Sequence, residues 1–132
     1  MDWIEQLILE VPDSFGPLLV KAWSLTEADD WEGAEEALKL ALQRAPHNED
    51  VLLFYTSELG RQGKMEELIN LIAQEPEPRP IALVINLALA YIRLGRMAEA
   101  EKILKKPLED PELSLDDQQK LRALLSEMEK RD

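Results

Sequence analysis

The sequence contains no cysteine, which removes disulfides, thiol nucleophiles and thiolate metal sites together. It has a single histidine, His47, too few for a histidine-built metal centre or acid–base pair. Glycines number five and no phosphate loop occurs, because Gly60-Arg-Gln-Gly63 lacks the required spacing and a preceding strand. The serines stand in no nucleophile-elbow context. No apolar run reaches the roughly 18 residues that a membrane span needs. Asp2 and Glu5 lie where a secretory signal would carry positive charge, so a cytoplasmic location is expected. Positive charge is scarce throughout. Fifteen basic residues stand against 27 acidic ones, a formal charge of −12 over 132 residues. Nucleic acid and anionic membrane surfaces both select the opposite sign, so neither is an expected partner. Apolar residues make up 45%, enough for a packed core, so acidity here does not mean disorder.

Proline is the first residue that is present in a pattern. Pro12, Pro46 and Pro80 stand 34 residues apart, twice in succession. A fixed period of this size is a mark of stacked supersecondary units. The residues between the prolines agree with it. Trp31, Ala34, Leu38, Ala41 and Leu42 form one apolar stripe of a helix closed by Pro46. Lys64-Met65-Glu-Glu-Leu68 and Arg96-Met97-Ala-Glu-Ala100 begin two further copies. Each copy follows another helical stretch. Val51 to Leu59 leads to Gly60-Arg-Gln-Gly63, and Ile81 to Leu94 leads to Gly95. Glycine suits the left-handed residue that ends a helix.

On these residues the chain resembles the tetratricopeptide repeat family. The matches in a first unit are Leu18, Ala22, Leu25, Trp31, Ala34, Leu38, Ala41 and Pro46. In a second they are Leu52, Thr56, Leu59, Gly63, Met65, Ile72 and Pro80, and in a third Val84, Ala88, Tyr91, Gly95, Met97, Ala100 and Leu104. The resemblance implies an all-α, helical-hairpin solenoid wound as a right-handed superhelix. Its units are expected at residues 15–46, 49–80 and 81–111, within a single domain. Several positions depart from the family pattern. Asp29 stands where the turn glycine is expected, Leu68 and Glu75 replace small residues, and Pro107 replaces an alanine. Glu75-Pro76-Glu77-Pro78 should end its helix early, since proline cannot continue one.

The two ends extend the array. Trp3, Ile4, Leu7, Ile8 and Val11 share a face, so residues 2–11 read as a half-repeat helix or as an N-terminal cap. An open end there would expose an apolar patch and favour self-association. Ser114 begins a last segment, with Asp117 three residues on, near a capping box. Leu121, Leu124, Leu125 and Met128 form a narrow stripe, as a capping helix over residues 114–130 requires.

Catalytic chemistry is not expected. Asp29, Asp30 and Glu32 cluster at a turn, but acids there favour the helix dipole, and Asp30 suits an N-cap. Glu35 is placed to pair with Lys39. His47 lies in a loop with no evident converging partner. No enzyme, cofactor or metal is therefore anticipated.

Binding remains. The resemblance implies a concave groove walled by the first helix of each unit. The positions that face it are Leu19, Trp23 and Thr26 in unit one, and Asp50, Leu53, Ser57 and Arg61 in unit two. In unit three they are Ala82, Ile85, Leu89, Ile92 and Arg93, with Asn86 beside them. Family members that grip the carboxylate tail of heat-shock chaperones use Lys, Asn and Arg there. Leu19, Trp23, Leu53 and Leu89 occupy those places, so such a clamp is not expected. The groove reads as apolar, with Trp23 as anchor, and suits a peptide or amphipathic helix of a partner protein. Leu19, Trp23, Leu53, Ile85 and Leu89 are open to a second reading as core. The alternative function is a structural segment of a longer array, or a self-associating scaffold, with no groove ligand. Charge divides unevenly along the chain. Residues 1–46 carry −7, residues 47–80 −4, residues 81–110 +1 and residues 111–132 −2. The acidity thus avoids the third unit, which offers a basic lip.

Overall fold

The computed structural model describes Ile4 and residues 15–130, and the helix expected at residues 2–11 lies, apart from Ile4, outside the described residues. Self-association through that end rests on the same residues. Among the described residues the chain is all-α. It forms α1 (Gly16–Glu27), α2 (Trp31–Arg44), α3 (Glu49–Arg61), α4 (Met65–Ala73), α5 (Ile81–Arg93), α6 (Met97–Lys105) and α7 (Leu115–Lys130). A short 3-10 helix, Lys106–Glu109, follows α6. The chain divides into two compact units at Tyr55/Thr56, inside α3.

In the first unit α1 packs against α2. Leu18 and Ala22 on α1 and Ala34, Leu38 and Ala41 on α2 are buried. The small residues let the helix axes approach, and Leu18 and Leu38 fill the space between. Each such leucine contributes about 1.5–3 kcal/mol. The turn between the helices uses Asp29 at φ 59°, so aspartate fills the left-handed place where glycine was expected. Asp30 then caps α2, its Oδ1 accepting from the Gly33 amide at 3.0 Å. Replacing Asp30 with Ala should cost about 1 kcal/mol in thermal unfolding. Asn48 opens α3 in the same way, accepting from the Val51 amide at 3.1 Å. Tyr55 is buried and donates its hydroxyl to Glu35 at 3.0 Å, and its ring meets Trp31 edge-on at 6.4 Å. Glu35 also faces Lys39 at 3.8 Å, the pair that the sequence spacing predicts.

In the second unit α3 continues through Gly60 to Arg61, and Gly63 takes the left-handed turn at φ 76°. Gly95 repeats this at φ 77° between α5 and α6. A Cβ on Gly95 would meet nothing within 4 Å, so only the backbone opposes a side chain there. Gly95→Ala should therefore destabilise by about 1–2 kcal/mol, measured as a fall in the denaturation midpoint. The helix α4 stops at Ala73, ahead of Pro76 and Pro78, as those prolines demand. Arg79 ties the following stretch to itself through the Glu75 carbonyl at 3.3 Å. Lys106 pairs with Glu77, which holds the Glu77 carboxyl below its usual range. Pro80 leads directly into α5.

The buried cluster of this unit is Val84, Ala88, Ala100, Leu104, Leu121 and Met128, drawn from α5, α6 and α7. Leu124 and Leu125 pack on it, so all four leucine and methionine positions of the α7 stripe face inward. The start of α7 is set by Ser114, whose Oγ accepts from the Asp117 amide at 3.1 Å. Pro107, an alanine position in the family, lies in the 3-10 turn that ends α6.

Candidate functional site

In the first unit the surface of α1 carries its largest apolar side chain outward. Trp23 is 56% exposed and Val20 39%, with Leu19 half-buried beside them. The Thr26 hydroxyl donates to the Trp23 carbonyl at 2.7 Å, so that polar group is used within α1. Leu53 on α3 is half-buried and Asp50 exposed.

In the second unit α3, α4 and α5 enclose a cleft of about 200 Å³. Five of the residues expected to bind a partner line it: Ser57, Arg61, Asn86, Leu89 and Arg93. The buried Leu68 and Met65 of α4 complete its apolar side. Leu68 is one of the departures from the family's small residues, and that departure was the only sequence signal that α4 contributes here.

Two hydrogen bonds set the cleft's shape. Asn86 Nδ2 donates to Thr56 Oγ1 at 2.9 Å, and Thr56 is fully buried. Asn86 thereby ties α5 to the C-terminal half of α3. Arg93 Nη1 donates to the Gly60 carbonyl at 2.9 Å. That carbonyl belongs to the last turn of α3, where intrahelical donors run out and a cation is favoured. Leu89 is 39% exposed and leaves an apolar patch at the opening. Arg61 has a mostly exposed side chain and pairs with Glu58 at 3.0 Å. Glu58 itself is buried, and its Oε2 has no hydrogen-bond partner among the described residues.

The other expected positions fall elsewhere. Ile85 and Ile92 pack on the buried cluster beneath α5 and α6, while Ala82 is exposed. His47 is exposed with φ 65°. Among the described residues no group of His, Cys, Asp or Glu is arranged to hold a metal ion. No described helix is long and apolar enough to cross a membrane.

A family model described as tetratricopeptide repeat matches residues 82–119, from α5 through α6 into the start of α7. No curated protein and no solved structure matches the chain. The match falls on the hairpin and the start of the capping helix whose packing is described above, and over those residues it supports the tetratricopeptide repeat assignment.

Proposed function

We propose that this chain is a protein-interaction module that takes a peptide or amphipathic helix of a partner protein on the faces of its first helices. Tetratricopeptide repeats are interaction modules in general. The observation that carries the finer reading is the cleft of the second unit. Five candidate residues meet there around an opening that keeps Leu89 exposed. Separately, in the first unit, α1 exposes Trp23, an aromatic side chain of the kind that anchors interfaces.

The test is selection of short random peptides displayed against the immobilised full chain. Peptides should be enriched on the native chain. Enrichment should fall at least tenfold on the Trp23→Ala, Leu89→Ala double variant, which removes exposed groups and should keep its helical circular dichroism. Equal enrichment on both would remove these faces from the account. Failure to enrich any peptide would favour an assembly segment with no ligand of its own.

A further inference from the structure

We infer that the cleft of the second unit selects an acidic side chain on the bound peptide, a carboxylate set beside an aliphatic residue. This rests on the reading of that cleft as a peptide site. The argument is charge complementarity. The chain has 27 acidic residues against 15 basic ones, yet the lining of this cleft holds two arginines and no acid. Both arginines stand at the C-terminal ends of their helices, Arg61 on α3 and Arg93 on α5.

Neither guanidinium is consumed by its partner inside the fold. A guanidinium carries five N–H donors in a planar fork. Arg93 gives one hydrogen bond, to the Gly60 carbonyl, and is otherwise exposed. Arg61 meets Glu58 through Nη1, and 69% of its side chain remains open to solvent. Both therefore keep donors for an incoming carboxylate, which arginine binds in bidentate fashion. The Gly60 carbonyl holds Arg93 in place, so less side-chain entropy is lost when the anion arrives. Beside the arginines, Leu68, Met65 and Leu89 offer an apolar wall for an aliphatic neighbour of the acid. A lysine or arginine on the peptide would meet like charge at Arg93, whose partner within the fold is the neutral Gly60 carbonyl, and be disfavoured there.

The peptide selection decides this when the recovered sequences are read. On the native chain they should be enriched several-fold in Asp or Glu adjacent to Leu, Ile or Val. On Arg61→Gln, Arg93→Gln that acidic preference should disappear, while Arg93→Lys should keep part of it. Arg61→Gln alone leaves the Arg93 bond to Gly60 intact, so a reduced acidic preference there supports the inference even where the double variant folds poorly. Peptides enriched without any acidic preference, or with one that survives both glutamines, overturn the inference and leave the peptide site standing. No enriched peptide on the native chain overturns both. Recovered peptides whose acid lies only at the chain terminus would mean capture of a terminal carboxylate, against the side-chain carboxylate inferred here.

Discussion

Ending the chain after Leu113 should strip the third hairpin of its cover and unfold it. The helix α7 contributes Leu121 and Met128 to the buried cluster, and Leu124 and Leu125 pack on it. Burying two such side chains fully is worth about 3–6 kcal/mol before the cost of ordering the helix is set against it. Removal also opens the cluster of Val84, Ala88, Ala100 and Leu104 to water on the side that α7 covers. A solenoid end needs a one-sided helix for this reason. The measurement is amide hydrogen exchange on the shortened chain. Protection across α5 and α6 should fall to that of an open segment. Native protection in those helices would show that α7 is dispensable and that the cluster is stable without it.

Leu104→Ala should be strongly damaging to the second unit, costing about 2–5 kcal/mol. Leu104 is fully buried, and its neighbours Ala88 and Ala100 are equally enclosed and too small to fill the space it would leave. The cavity would therefore persist, which places the cost toward the upper part of that range. Urea unfolding reads it directly as a lower midpoint at unchanged slope. A loss below about 1 kcal/mol would mean that α6 and α7 close over the gap.

Much of this fold was legible along the chain because its signals are local. Apolar spacing placed the helices, Gly63 and Gly95 marked turns, and Pro76 and Pro78 stopped α4. Asp30 and Ser114 read as caps because a cap needs only its own helix. The bonds between helices were not legible. Tyr55 to Glu35 spans 20 positions, Asn86 to Thr56 30 and Arg93 to Gly60 33, and no spacing rule reaches that far. Asn86 and Arg93 could be placed on a binding face, but not seen to support the packing beneath it.

The candidate site was legible to the same depth. A helical period assigns residues to a face, but it does not say which neighbour on that face is covered. Leu89 and Ile85 lie one turn apart on α5, yet Leu89 is exposed at the cleft and Ile85 packs on the cluster below. The difference arises from how the adjoining helices lean on α5. The contribution of Leu68 was hidden for a similar reason, since it enters the cleft from a second helix rather than a first.

The most direct test of the account is chemical-shift mapping of the isotopically labelled full chain during titration with one selected peptide. The account predicts saturable shifts at Ser57, Arg61, Asn86, Leu89 and Arg93, with the outward-facing residues of α4 and α6 unmoved. Shifts confined to α4, α6 or α7, with the cleft unperturbed, would contradict it.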